Sequence, residues 1–94
     1  MKNIELLITA CQAYKEERLG LDSFQSQLEG IYLPDICKNT LEKEQHNAYN
    51  QLEKIFYFYP QAEHRKYAIP IAEELIQAAK AEQKRLENYK PYQE

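Results

Sequence analysis

The stretch IFYFYP, residues 55–60, sets four aromatic side chains in a row and ends at a proline. Its conformation is indicated by the residues before it, which keep to one face of a helix at about 100° per residue. That face consists of Leu41, Gln45, Ala48, Leu52, Ile55, Phe56 and Tyr59. A strand at this position would have no second alternating run to pair with. We therefore predict that IFYFYP is the last turn of a helix that stops at Pro60.

The helical wheel of this segment divides its aromatic residues into two groups. Phe56 and Tyr59 fall on the apolar face and are expected in the core. Tyr57 and Phe58 are turned away from it and are candidates for contact with a protein partner, because an aromatic anchor buries area at low entropic cost. The other interpretation is that the fourth helix or the link PDICKN, residues 34–39, covers these two side chains.

The apolar periodicity predicts three further helices. The four predicted helices run over about 3–18, 22–33, 40–59 and 61–89. The second is expected to begin with a capping box of Asp22 and Gln25, and the third with one of Asn39 and Glu42. Pro34 disfavours helical geometry in the residue before it and should end the second helix.

Pro70 lies inside the fourth predicted helix. Proline removes a backbone hydrogen bond and clashes with the preceding turn, so we expect this helix to be kinked or split near Pro70. Its charged end KAEQKRLE, residues 80–87, is expected to face solvent. Four helices with short connections pack most simply as an antiparallel bundle. The sequence thus predicts an all-α, antiparallel four-helix bundle that forms a single helical domain over residues 1–94.

Composition supports the helical prediction and narrows the class of partner. The chain has no valine and only two glycines, whereas strand-rich domains need β-branched residues and turn glycines. The net charge is −3, and residues 16–53 hold eight acidic but only three basic residues. This balance argues against direct nucleic-acid binding, which needs a basic face. An acidic middle suits a basic partner, although many acidic helix faces are simply solvated.

No arrangement of residues predicts catalysis or a bound cofactor. His46 and His64 lie in segments expected to be exposed, and no Glu-x-x-His pattern of carboxylate-bridged metal bundles occurs. Cys11 and Cys37 form neither a disulfide framework nor a zinc spacing, so we expect reduced thiols in a cytoplasmic protein. No run of about 18 apolar residues is present, and no membrane association is expected. The sequence therefore predicts a non-enzymatic protein without metal or cofactor.

The order of features along the chain resembles a known family. An amphipathic helix is followed by LDSFQSQLEGIY (21–32), by a capped helix closing in YP (59–60), and by AEHRKY (62–67) with an apolar helix after it. This order is similar to that of the small helical bacterial immunity proteins of the colicin D type. The resemblance implies a four-helix bundle that blocks a tRNA-cleaving toxin by covering its basic active site with acidic side chains.

The resemblance also implies where the toxin would bind. Glu63 matches an acidic position of the family, whereas Gln61, Ala68 and Pro70 stand where acids are expected. Two interpretations follow: either acids from the middle of the chain (Asp35, Glu42, Glu44 and Glu53) replace them, or the partner is a different toxin. The predicted partner-binding residues are Asp35, Glu42, Glu44, Glu53, Tyr57, Phe58 and Glu63.

These observations give one leading function and a runner-up. The leading one is a cytoplasmic immunity protein, of the kind found in bacteriocin immunity and contact-dependent inhibition. It binds a basic nuclease toxin domain and occludes its active site. The alternative is a non-enzymatic adaptor or structural subunit whose aromatic face docks a helix of a larger assembly. A second copy of the chain is a further partner considered, whereas a regulator that binds nucleic acid fits poorly with the acidic charge.

Overall fold

The computed structural model describes residues 2–88, which form helices joined by short connections, with no strand among them. The four α-helices are α1 (Lys2–Lys15), α2 (Leu21–Gly30), α3 (Leu41–Phe58) and α4 (His64–Glu87). Single turns of 3-10 helix, Asp35–Cys37 and Gln61–Glu63, precede α3 and α4. The all-α prediction is confirmed, and so is the end of α3 just before Pro60. The predicted end of the fourth helix at Tyr89 lies outside the described residues.

Several predicted helix boundaries and caps are wrong. α2 ends at Gly30 because Ile31 has extended backbone, with φ −92° and ψ 118°. The residues at the N-caps of α2 and α3 are Gly20 and Thr40, and neither Asp22 nor Asn39 caps a helix. α4 runs through Pro70 without a break, so of the two predicted alternatives, a kink or a split, the split is wrong.

The core lies between the four helices, with each helix packed against its neighbours in sequence and α1 packed against α4. Its largest fully buried side chains include Tyr14 of α1 and Phe24 of α2, whose rings stack at 4.9 Å. Burying each such ring stabilises the fold by about 1.5–3 kcal/mol. The buried apolar side chains of α3 are Leu41, Ala48, Leu52 and Ile55, as the helical wheel predicts.

The C-terminus of α1 is closed by a Schellman motif that has glutamate where glycine is usual. The N–H of Arg18 donates to the carbonyl of Ala13, and the N–H of Glu17 donates to that of Tyr14. Glu17 has φ 65°, the left-handed region that a residue with a Cβ avoids. The guanidinium of Arg65, on α4, donates to the Tyr14 and Lys15 carbonyl oxygens at 2.9 and 2.8 Å. A cation thus lies at the negative end of α1.

The ends of α2 and α3 are also bonded by side chains from other parts of the chain. Gln45 is buried in α3, and its amide nitrogen donates to the Leu28 and Ile31 carbonyls at 2.7 and 2.9 Å. His64 is buried as well, which contradicts the expectation that it is exposed. Its Nε2 donates to the Tyr59 carbonyl at the end of α3, at 2.9 Å. These bonds satisfy carbonyls that a helix leaves without partners.

A buried carboxylate joins α4 to the start of α3. The expectation that residues 80–87 are solvated is wrong for Glu82, which is buried. Its carboxylate accepts hydrogen bonds from Arg85, with the shortest N–O distance 2.8 Å, and from the hydroxyl of Thr40. Bonds from Arg85, Thr40 and the Cys37 thiol outweigh the cost of burial and lower the pKa of Glu82 to about 2.

Replacing Glu17 by glycine is expected to stabilise the protein by about 0.5–1 kcal/mol, because glycine adopts positive φ without steric cost. Urea denaturation would measure the change in the free energy of unfolding. Glu16→Gly is the matched control: it removes the same charge one position earlier, where φ is not positive, and should destabilise. Equal effects of the two substitutions would contradict the strain at Glu17.

Replacing Glu82 by glutamine is expected to cost about 1.5–3 kcal/mol at neutral pH, the range for hydrogen bonds to a charged group. The pKa of Glu82 falls from 4.5 to about 2 on folding, so its contribution is complete above pH 4.5. It is lost as the pH falls from 4.5 towards 2. The destabilisation by Glu82→Gln should therefore shrink over this interval in pH-dependent denaturation. A penalty that stays constant down to pH 2 would contradict the lowered pKa.

Candidate protein-binding site

Tyr57 and Phe58 are exposed, with 71% and 77% of their surface accessible. Neither the fourth helix nor the link at residues 34–39 covers them. The wheel places both residues away from the core face of α3, and the structure confirms this placement. That Tyr57 and Phe58 contact a protein partner stays a prediction.

Phe56 and Tyr59 were expected in the core, and both expectations are wrong. They are 41% and 40% exposed. Phe56 lies at the edge of the buried face of α3, and Tyr59 is the C-cap residue with extended backbone, φ −123° and ψ 148°, so the helical wheel does not apply to it. Phe56 packs edge-on against Tyr57 at 5.3 Å and lies 5.7 Å from the His64 ring. Tyr59 stacks on Tyr67 of α4 at 4.3 Å. Residues 56–59 therefore form an exposed aromatic corner at the connection of α3 to α4.

A second surface runs along α3. At 100° per residue, five side chains fall within about 80° of one another on a helix face. These residues, called the α3 stripe, are Glu42, His46, Tyr49, Glu53 and Tyr57. The stripe includes three of the seven predicted partner-binding residues. It carries two acids, two tyrosines and a histidine beside the core face.

Electrostatics show that α2 contributes another acid to this stripe. The negative charge of Glu29, on α2, is the largest cause of a raised pKa at Tyr49, followed by partial burial. Glu53 and Tyr57 raise it further. Each of these groups disfavours a second negative charge nearby. The hydroxyl of Tyr49 thus lies in a locally negative field made by two helices.

A groove of about 350 Å³ lies between α2 and the first half of α3. It is lined by Leu28, Glu29, Ile31, Tyr32, Glu42, Gln45, His46, Tyr49 and Asn50. The ring of Tyr32 is 78% exposed, while its carbonyl accepts a hydrogen bond from Asn3 of α1. We call this feature the α2/α3 groove. Its α3 side includes the first three residues of the α3 stripe, Glu42, His46 and Tyr49.

The other predicted site residues lie elsewhere. Glu44 is exposed in the region where α3 meets α4, among residues that include Glu74. Phe58 lies on that same side of the α3 wheel. Asp35 and Glu63 are exposed in the two 3-10 turns. The seven residues therefore do not share one face; only Glu42, Glu53 and Tyr57 lie together along α3.

Four residues of this surface were not among the predicted partner-binding residues: Glu29, Tyr32, His46 and Tyr49. Three residues of the stripe, Tyr49, Glu53 and Tyr57, are spaced four residues apart, which already predicts a shared helix face. That signal was available in the sequence. The contributions of Glu29 and Tyr32 depend on how α2 packs against α3, which local spacing does not reveal.

The cysteines are not reactive groups in this structure. Both are free and buried, as expected. Burial raises the pKa of Cys11 to about 12 and that of Cys37 to about 11, with Glu82 adding to the second shift. Both thiols therefore stay protonated at neutral pH, whereas nucleophilic cysteines need a thiolate. Within residues 2–88 no cluster of three His, Cys, Asp or Glu side chains could hold a metal ion.

The described helices also bear on a membrane location. None of the helices within residues 2–88 combines the length and the apolar composition needed to cross a lipid bilayer.

Phe58→Ala is expected to change the free energy of unfolding by less than about 0.5 kcal/mol, because little surface is buried there. Phe56→Ala should cost about 1–2 kcal/mol, in keeping with its partial burial. Leu52→Ala is the core control, with an expected cost of about 2–5 kcal/mol. Chemical denaturation would rank the three variants. A cost above 2 kcal/mol at Phe58 would contradict its exposed position.

Comparison of the chain with family models, curated proteins and solved structures found no match. The resemblance to immunity proteins of the colicin D type consequently stays a hypothesis from the residues.

Proposed function

We propose that this protein is a non-enzymatic inhibitor that binds a basic nuclease toxin, a tRNA-cleaving RNase, and covers its active site. The observation that carries the proposal is the combination of two adjoining surfaces on α3. The acidic and aromatic stripe meets the aromatic corner at Tyr57, which belongs to both. A basic active site would be matched by the stripe and anchored by the exposed rings.

The two surfaces would act at different stages of binding. Negative charge on Glu29, Glu42 and Glu53 steers a basic partner during diffusion and raises the association rate. Tyr57 and Phe58 then lose water-exposed surface in the complex and slow dissociation. Such a protein acts by contact alone, in the cytoplasm, without a metal or cofactor. Asp35, Glu44 and Glu63 would lie at the rim or outside the interface.

The proposed scaffold is an antiparallel four-helix bundle with a kink in α4. Support comes from the packing of sequence neighbours against one another and of α1 against α4. Short connections between such neighbours favour antiparallel directions. Pro70 has no N–H to donate within α4, which favours a bend towards the core at that turn.

The exposed aromatic corner also supports a second candidate, an adaptor subunit or a homodimer held by apolar area. Four consecutive aromatic residues with at least 40% exposure are unusual for a surface without a partner. Salt separates the two candidates. An acidic inhibitor should associate about tenfold more slowly in 500 mM than in 50 mM salt, whereas an apolar contact should change little.

Co-expression with the C-terminal domain encoded by the adjacent gene tests the leading proposal. Wild-type protein should restore growth, and Tyr57→Ala with Phe58→Ala should weaken binding at least tenfold, as expected for aromatic hot spots. Leu6→Ala is the matched control, because Leu6 is an exposed apolar residue on α1. Its binding should equal that of the wild type.

Two results would contradict the proposal. One is equal toxicity of the domain with and without this protein. The other is equal binding by the aromatic double variant and the Leu6→Ala control, which would exclude the aromatic corner as an anchor. Salt-independent association would instead favour the adaptor.

A further inference from the structure

The α2/α3 groove offers hydrogen-bond acceptors and negative charge to a ligand. Glu29 and Glu42 line it with carboxylates, and neither forms an ion pair with a lysine or arginine among residues 2–88. Gln45 already donates from its amide nitrogen to two carbonyls of the α2 terminus, so its amide has an acceptor oxygen left to offer. None of the lining residues carries a permanent positive charge.

The groove also has an apolar part, made of aromatic rings and aliphatic side chains. Tyr32 and Tyr49 contribute aromatic rings, and Leu28 and Ile31 contribute aliphatic surface. Tyrosine rings attract cations on their faces, and aliphatic surface suits the methylene stem of a long basic side chain. The volume of about 350 Å³ falls within the usual range for small-ligand pockets, about 300–1,000 Å³.

Among cations that a protein partner can offer, arginine matches this groove best. Its guanidinium is planar, stacks on aromatic rings and directs five donors in a fork that fits carboxylates. A lysine ammonium holds its hydration more strongly and gains less from the rings. A neutral side chain would leave the two carboxylates without compensation.

We propose that the α2/α3 groove receives an arginine side chain from the partner, with Glu29 and Glu42 on its guanidinium and a tyrosine ring against its plane. This inference rests on the proposed function, since it names the side chain by which a basic partner is held. It also predicts that one partner arginine lies about 10–20 Å from the surface that meets Tyr57. That distance follows from the rise of 1.5 Å per residue between positions 46–49 and 57 of α3.

The test needs only the isolated protein and a small probe. N-acetyl-arginine methylamide, titrated into ¹⁵N-labelled protein, should shift backbone amides of residues 28–32 and 42–50. The citrulline analogue is the neutral isostere and should shift them at least fivefold less at equal concentration. The lysine analogue should fall between the two. Glu29→Gln with Glu42→Gln should weaken arginine binding at least fivefold, whereas Glu5→Gln with Glu74→Gln removes the same charge from exposed positions of α1 and α4 and should leave binding intact.

Three outcomes would overturn the inference: equal shifts with citrulline, shifts spread over all surface acids, or unchanged binding in the Glu29 and Glu42 variant. If that variant fails to fold, Tyr32→Ala replaces it, because the exposed ring can be removed without loss of core packing. The titration contains no toxin. A negative result would therefore reject the arginine site only, and the growth assay would still test the inhibitor proposal. If the groove binds the arginine probe but the protein does not protect cells from the toxin domain, only the proposed function is rejected.

Discussion

The C-terminal carbonyls of the first three helices are satisfied by side chains that come from elsewhere in the chain. A helix leaves its last four carbonyls without internal partners, and many proteins use a glycine with positive φ to turn the chain there. Neither glycine of this protein has positive φ. At the end of α1 Glu17 takes the positive φ and Arg65 adds two bonds, whereas Gln45 bonds the end of α2 and His64 the end of α3. Each bond stabilises one helix and fixes its position against another.

This arrangement determines the geometry of the proposed binding surfaces. The bonds from Gln45 hold the last turn of α2 against α3, which sets the width of the α2/α3 groove. The two carbonyls that accept from Gln45 belong to Leu28 and Ile31, on either side of Glu29. His64 donates to the backbone carbonyl of Tyr59, and the ring of Tyr67 stacks on the ring of Tyr59, so the aromatic corner is attached to α4. Rings that are held in place lose less entropy on binding than free ones.

The amino-acid sequence predicted those features that depend on local spacing. The four helices, the buried face of α3 and the outward placement of Tyr57 and Phe58 all follow from a 3.6-residue period. Features that depend on contacts distant in sequence were mispredicted: the burial of His64 and Glu82, and the exposure of Phe56. Glu82 lies in a charged run typical of solvated helices, and only its bonds to Thr40 and Arg85 make its burial favourable. The groove was missed for the same reason.

The acidic residues of this protein lie in two distinct environments. Glu82 is buried and bonded to a cation on its own helix, so its charge contributes to stability. Glu29 and Glu53 act on the same tyrosine hydroxyl and form no ion pair with a basic residue within 2–88. Like charges placed together destabilise a free protein slightly, and a bound cationic group would relieve their repulsion. Within residues 2–88 no basic residue pairs with Glu29 or Glu53, and theirs is the charge that the proposed basic partner would complement.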